Sequence, residues 1–257
     1  ATGDTTVSNL GSIVTGSMAN GSANLTLGYQ AAAIAGATSQ TLNLNGGVTA
    51  ATATIAGVEA VTVNSANSAN TLTDLVTANA TSLTLTGDQN LSISAGAGVD
   101  FDFADAALAT AVDGTVDATG LSGTLAINMN TGDVVTVLGG SNSMALGMAD
   151  GLTAADTITG GAGAADLIEV TVSETTALPL VTGVEVLQLT AADIDIADGG
   201  AGDNTGAVTL SGAAIASVTN FVSAVTTATN GDVGTVNAVA LDDGDTVTIA
   251  AGGSDTT

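Results

Sequence analysis

The feature that most constrains this chain is the complete absence of cationic side chains. Its 257 residues include no Lys, Arg or His but 25 Asp and Glu, which gives a formal net charge of −25. Because the chain cannot neutralise its carboxylates with its own side chains, we expect the compensating charge to come from outside. Hard divalent cations with oxygen ligands are the usual source, so the sequence predicts a protein that depends on Ca²⁺.

The acidic residues are strongly biased towards aspartate. Asp outnumbers Glu by 21 to 4, and Asp favours turns and holds its carboxylate close to backbone carbonyls, as a calcium loop requires. The alternative is a charge excess kept for solubility.

The pattern of apolar residues predicts an all-β protein. Hydrophobic residues make up 45% of the chain but aromatic residues only 2%, so a core of this size must be built from small aliphatic side chains, which suits stacked β-layers. Alternation or runs of β-branched residues predict strands at 41–45, 52–64, 82–87, 91–94, 134–138, 167–172, 184–190, 207–212 and 245–250. Apolar spacings of three and four predict short helices over 71–79 and 213–226.

An internal repeat indicates two modules. The triplet Gly-Val-Glu occurs at Gly57–Glu59 and again at Gly183–Glu185, each time followed by a strand pattern. Other matching segments follow in the same order, so we predict a first β module over 1–150, with an N-terminal remnant at 1–29, and a second over 151–257. The chain is then a segment of a longer tandem array; coincidence within a biased composition is the alternative.

These observations predict a right-handed parallel β-solenoid of tandem modules with calcium-binding Gly/Asp turns. The alternative is a series of Ig-like β-sandwiches, because one repeat per ~120 residues also fits that architecture.

The most specific motif is DTITGGAGAADLIE at 156–169. A G-G-x-G-x-D turn followed by an apolar strand residue binds calcium in parallel β-rolls. Here Gly161 and Gly163, with the preceding glycine, are expected to bend the backbone so that carbonyls face the ion, and Asp156 and Asp166 to supply carboxylates. One alanine more than the motif requires precedes Asp166, and a plain turn is the alternative.

Further acidic groups are candidate calcium ligands. Two carboxylates at positions i and i+2 lie ~7 Å apart and repel by roughly 0.6 kcal/mol in water and ~2.4 kcal/mol at an effective dielectric constant near 20. Bound divalent ions would remove this repulsion, and solvated acidic faces are the alternative. The additional candidate metal ligands are Asp100, Asp102, Asp133, Asp193, Asp195, Asp198, Asp242, Asp243 and Asp245.

Several functions are disfavoured by composition. Without His, Cys or Lys there is no ordinary base near neutral pH, so we do not expect an enzyme. Without cations the chain cannot make the phosphate contacts of a nucleic-acid binder, and its apolar stretches are shorter than the ~18–20 residues of a membrane span.

Thr-x-Thr strands such as 52–54 and 84–86 raise ice binding as a function. Because these pairs do not recur at a fixed short period, we interpret them as β-propensity and surface polarity.

The Gly-Val-Glu unit, the Thr/Ala/Gly bias, the absence of Lys and the G-G-A-G-A-A-D turn at 160–166 together resemble bacterial S-layer proteins of the Caulobacter type, which are related to the RTX group. The resemblance implies export in the unfolded state by a type I system, calcium-triggered folding outside the cell, and calcium-bridged assembly into a lattice.

The function expected from the sequence is therefore structural. We expect a secreted, extracellular cell-surface protein that self-assembles with Ca²⁺ as a homo-oligomer into a surface layer or filament, with cell-surface polysaccharide as a candidate anchor. The alternative is the repetitive stalk of an RTX-type adhesin or biofilm matrix protein.

Overall fold

The alternating sequence folds into strands that run through the whole described chain. The computed structural model describes residues 3–77, 79–93, 114–129, 135–148, 156–172 and 180–191, together with the backbone of four further strands between 208 and 250. These residues form 21 strands, numbered β1 to β21 in chain order, and contain no helix. Each predicted strand segment coincides with one or more of them, and segment 52–64 is divided by a corner into two.

Two long sheets contain most of the strands. The eleven-stranded sheet consists, from edge to edge, of β1 Thr5–Leu10, β3 Leu25–Tyr29, β5 Ala51–Ile55, β7 Asn70–Val76, β9 Leu91–Ile93, β11 Leu125–Met129, β13 Met144–Met148, β15 Leu167–Val172, β17 Val186–Ala191, β19 Asn220–Val225 and β21 Thr246–Ala250. The eight-stranded sheet consists of β2 Gly16–Met18, β4 Ser39–Asn45, β6 Ala60–Ala66, β8 Ser82–Gly87, β10 Gly114–Leu121, β12 Val135–Leu138, β14 Thr157–Thr159 and β16 Leu180–Thr182. A further pair consists of β18 Val208–Ser211 and β20 Val236–Val239.

Successive strands up to β17 alternate between the two long sheets, and their neighbours within each sheet are parallel. The chain is therefore a right-handed parallel β-solenoid with two strands per turn, which confirms the predicted fold class over the Ig-like alternative. Turn length varies: Leu125 pairs with Met144, 19 positions later, whereas Leu91 pairs with Leu125, 34 positions later. Short turns contain little more than two strands and two corners, and longer turns carry insertions.

The core lies between the two sheets and consists of aliphatic ladders. Register places like side chains above one another in successive turns, because parallel strands pair residue by residue. One such ladder in the eleven-stranded sheet consists of Leu72, Ile93, Ile127, Leu146, Ile168 and Leu187, each at most 1% exposed. Truncating one such side chain to alanine typically costs about 2–5 kcal/mol, so these ladders determine the stability of the stack.

The two Gly-Val-Glu triplets form the same kind of corner at different places. Gly57 and Gly183 both have positive φ, at 79° and 64°, and the valine that follows each of them is buried. The first corner leads into β6 of the eight-stranded sheet and the second into β17 of the eleven-stranded sheet. The triplet thus marks a corner that suits either edge of the solenoid. Pairing also continues across residue 150, where β13 lies beside β15; the division into two modules stays a prediction.

The predicted helices are wrong where they can be compared with the structure. Residues 70–76 form β7, and residues 220–225 form β19; 213–219 lie outside the described residues. The helix prediction over 71–79 failed because the register between β7 and β5 is irregular. Leu72 and Leu75 both point inward because a bulge places two half-buried residues between them. Inward residues of a regular strand are two positions apart, and the bulge increases this spacing to three, which is also typical of a helix.

Candidate metal site at the Asp166 corner

The glycine-rich segment of the 156–169 motif is a corner between β14 and β15. It stacks directly on the corner of the preceding turn: the Gly139 N–H donates to the Thr159 carbonyl at 2.8 Å, and the Ala162 N–H donates to the Gly140 carbonyl at 3.0 Å. A Cβ on Gly161 would lie only 2.6 Å from the Gly140 carbonyl oxygen, and one on Gly163 would be equally close to Ser143. Neither glycine has positive φ, so the close approach of two backbones is the reason why these positions require glycine.

Asp166 lies at the end of this corner, immediately before β15, and is fully buried. Its Oδ1 accepts a 2.6 Å hydrogen bond from the backbone N–H of Met144, one turn earlier. Its Oδ2 is buried and accepts no well-formed hydrogen bond; the Gly161 N–H is near enough to the carboxylate only to lower its pKa slightly. A buried carboxylate oxygen without a donor is costly unless a proton or a cation compensates it, so this atom identifies the corner as a candidate cation site.

Glu185, one turn later, brings a second carboxylate to the same corner. Its Oε2 accepts a hydrogen bond from the backbone N–H of Asp166 at 2.9 Å, and the Val186 N–H donates to the Asp166 carbonyl at 2.9 Å. Glu185 was not predicted to be a ligand, although the Gly-Val-Glu triplet that contains it is repeated in the sequence. Pairing of β15 with β17 brings the glutamate beside the aspartate 19 positions earlier, and only the register reveals this.

The electrostatics of the corner disfavour a bare carboxylate. Burial raises the pKa of Asp166 above its usual value; the Met144 N–H opposes this effect, the Glu185 carboxylate adds to it, and the Gly161 N–H opposes it weakly. The net effect is a raised pKa of Asp166, because desolvation penalises the charged form. A divalent cation would reverse this balance by favouring both charged carboxylates.

Backbone oxygen lies next to the unpartnered atom. A Cβ on Gly160 would collide with the Gly183 carbonyl oxygen and lie 3.0 Å from Asp166 Oδ2. The two oxygens therefore face the same side of Gly160. Carboxylate and carbonyl oxygens are the ligands that Ca²⁺ uses in proteins, so this donor set fits calcium. Within the described ranges no three acidic side chains form a common cluster, and an ion here would complete its coordination with backbone carbonyls and water.

Asp156 belongs to a different corner. It is buried and stands directly before β14, whereas Asp166 follows the end of that strand. Its Oδ1 accepts a 2.8 Å hydrogen bond from the backbone N–H of Val135 in the preceding turn. The motif at 156–169 therefore contains two separate corner aspartates, and Asp156 and Asp166 do not form one site. The remaining predicted ligands, Asp100, Asp102, Asp133, Asp193, Asp195, Asp198, Asp242, Asp243 and Asp245, lie outside the described residues.

The bridge from a corner side chain to a neighbouring turn recurs along the solenoid, with asparagine as well as aspartate. Oδ1 of Asn24 accepts from the Thr52 N–H at 2.7 Å, and Oδ1 of Asn90 accepts from the Thr124 N–H at 2.9 Å. Both asparagines directly precede a strand, as Asp156 and Asp166 do. From the sequence, such aspartates were predicted only as ligands or turn residues; their position one residue before a strand was the signal for this role.

A cavity of about 290 Å³ near β1 to β3 has a different character. Its lining includes Gly3, Met18 and Leu25 and contains no titratable side chain. Among the described residues there is no helix with the length and hydrophobicity needed to cross a bilayer.

Comparisons of the chain with family models, with curated proteins and with solved structures found no match.

Proposed function

We propose that this chain is a structural segment of an extracellular protein that takes up calcium and self-assembles into a surface layer or filament. The observation that supports it most is the Asp166–Glu185 corner, where a buried carboxylate oxygen without a donor meets a second carboxylate in a chain that has no cation. Calcium bound there would stabilise the folded stack by mass action, by about 2.7 kcal/mol at a concentration 100 times the dissociation constant.

The architecture favours a structural role. Each turn of a solenoid contacts only its neighbours, so such proteins build long, regular surfaces at a low cost in sequence complexity. A surface with this net charge would repel its own copies unless divalent ions bridged them. We therefore assign calcium two tasks: it completes the Asp166 corner within one chain, and it screens and links acidic faces between chains.

The competing function is a passive stalk of an adhesin or matrix protein, which would bind calcium in the same way but would not assemble. The test is a calcium titration of the purified chain at constant ionic strength, followed by circular dichroism and light scattering and reversed with a chelator. We expect a gain in thermal stability followed by sheets or fibres. A stability gain with monomers only would select the stalk, and no change in either signal would contradict the calcium proposal.

Glu59 provides the matched control. It occupies the same place in the first Gly-Val-Glu triplet as Glu185 does in the second. The residue after Glu59, Ala60, donates its N–H to the Thr38 carbonyl, and the residue after Glu185, Val186, donates its N–H to the Asp166 carbonyl. The neutral Thr38 thus stands where the second corner has an aspartate. We expect Glu185→Gln to weaken the stabilisation by calcium and Glu59→Gln to leave it unchanged. Magnesium at equal concentration separates site binding from general screening, because Mg²⁺ demands a stricter octahedral geometry.

A further inference from the structure

The outer face of the eight-stranded sheet carries hydroxyl groups in register. One column of outward positions has hydroxyls on four successive strands, at Ser82, Thr115, Thr136 and Thr157. These residues are 21 or more positions apart in the chain, so their alignment is invisible as a short-period repeat. The Thr-x-Thr pairs do not recur at a fixed short period, but on this face the register aligns hydroxyl-bearing residues from successive turns.

A second column runs beside the first, two residues further along each strand. It contains Thr41, Thr62 and Thr84 on three successive strands and Thr159 and Thr182 at the other end. Neighbouring strands lie about 4.8 Å apart and alternate residues about 6.7 Å apart. The result is a two-dimensional grid of hydroxyl and methyl groups with both of these repeats, which is interrupted in its second column by Asp117 and Leu138.

Several side chains on this face are fixed by contacts between turns. The Thr182 hydroxyl donates to the Thr159 hydroxyl at 3.3 Å, and a third column is linked by bonds from Thr86 to Asn64 at 3.3 Å and from Asn64 to Asn43 at 3.4 Å. Threonine is also stiff at χ1 because it is β-branched. In-register parallel strands with side-chain ladders favour a flat sheet, so the grid is ordered before it meets any ligand.

Charge is almost excluded from this face. Of the chain's 25 acidic residues, the two main columns of the described strands contain only Asp117. Its Oδ1 is occupied by Thr119, which donates from its backbone N–H at 2.9 Å and from its hydroxyl at 2.6 Å. Strongly hydrated ions disturb the water around them, so a face with one carboxylate in these columns leaves most of its water undisturbed.

We propose that this hydroxyl face, defined by the two columns above, binds ice. The spacing between strands is close to the shorter oxygen–oxygen repeat on a prism face of hexagonal ice, so hydroxyls along a column can occupy lattice positions while the threonine methyl groups fill the spaces between them. Rigid, regularly spaced groups order water at little entropic cost. A polysaccharide partner is less favoured because the face has no aromatic platform, and a nucleic acid is excluded by the absence of cations.

The test is partitioning of fluorescently labelled protein into slowly growing polycrystalline ice, together with thermal hysteresis, in buffer containing calcium. We expect the chain to enter the ice, and we expect Thr136→Tyr and Thr84→Tyr each to reduce incorporation at least tenfold, because a protruding ring lifts the flat face off the lattice. Ala126→Tyr, on the outer face of the opposite sheet, is the control and should retain full incorporation. Circular dichroism checks that each variant is folded.

Two results would overturn the proposal. One is a wild-type chain that is excluded from ice as completely as an unrelated soluble protein. The other is equal incorporation of the wild type and both threonine variants. If the wild type is excluded and the threonine variants instead change its sedimentation, the face is a contact between copies of this chain and the ice proposal is wrong. None of these outcomes depends on the Asp166 corner.

Discussion

The corners at Asn70 and Asp166 are built alike but differ in one chemical group. Both side chains are buried, and each Oδ1 accepts a backbone N–H from the preceding turn: Asn70 from Val48 at 3.2 Å and Asp166 from Met144 at 2.6 Å. The bonded residues are 22 positions apart in both cases. The two corners therefore have the same backbone role and differ in what the second side-chain atom can do.

At the first corner the second atom is an amide nitrogen, and it is satisfied. Nδ2 of Asn70 donates to the Ser68 carbonyl at 2.7 Å and to the Ser65 hydroxyl at 3.0 Å, with two more backbone carbonyls within 3.4 Å. At the second corner the matching atom is an oxygen without a well-formed hydrogen bond, and the Glu185 carboxylate lies at the same corner. The same backbone geometry thus holds an amide donor at the Asn70 corner and a carboxylate oxygen that requires a proton or cation at the Asp166 corner.

The largest effect that we predict comes from Asn70→Asp. The substitution replaces the Nδ2 amide group, which donates these hydrogen bonds, with a carboxylate oxygen among backbone carbonyls. We expect this change to lower the free energy of unfolding in chelator by about 3 kcal/mol. Urea unfolding followed by circular dichroism measures it. Calcium should recover part of this loss, because the new corner imitates Asp166. Unchanged stability in chelator would show that the amide bonds of Asn70 contribute nothing.

The reverse substitution, Asp166→Asn, should abolish the response to calcium. An amide restores a donor and removes the repulsion from Glu185, so we expect the chelated protein to gain about 1–2 kcal/mol. Calcium should then add little, whereas it adds about 2.7 kcal/mol to the wild type at 100 times the dissociation constant. Thermal unfolding with and without calcium measures both quantities. If the variant responds to calcium as the wild type does, the ions bind elsewhere.

A smaller effect is expected from Glu185→Gln. The glutamine oxygen can still accept the Asp166 N–H, so only the charge is lost, and the chelated protein should gain about 1 kcal/mol. Glu59→Gln at the exposed counterpart should change stability by less than about 0.5 kcal/mol. Urea midpoints of the two variants provide the comparison, and equal shifts would mean that the second carboxylate does not interact with Asp166.

The smallest effect is a pH dependence. Because the pKa of Asp166 is raised in the folded state, its contribution to stability is fully present below the unfolded pKa near 3.9 and is lost as the pH rises through the folded pKa. Relative to Asp166→Asn, the chelated wild type should therefore gain stability as the pH falls from 7 towards the raised pKa. The difference between the two melting temperatures across that range isolates this residue from the other carboxylates, and a constant difference would contradict the prediction.

Local pattern predicted the strands well and the contacts between turns poorly. Segments such as 82–87 and 167–172 alternate clearly and form β8 and β15. Leu72 and Leu75 were misread as helical because a bulge imitates helical spacing. The Asp166 carboxylate was predicted from its glycine-rich turn, but Glu185 was not, since its partner lies a whole turn away and the register could not be known.

The sequence by itself determined that this protein must be layered β-structure with an aliphatic core and that its carboxylates have no cation of their own, because both follow from residue types and from contacts between near neighbours. Only the tertiary structure decided which side chains meet. A solenoid joins residues that are 19 to 34 positions apart, and a turn longer or shorter by one residue would give each side chain a different neighbour. That dependence on turn length paired Asp166 with Glu185 and aligned the threonines of the eight-stranded sheet.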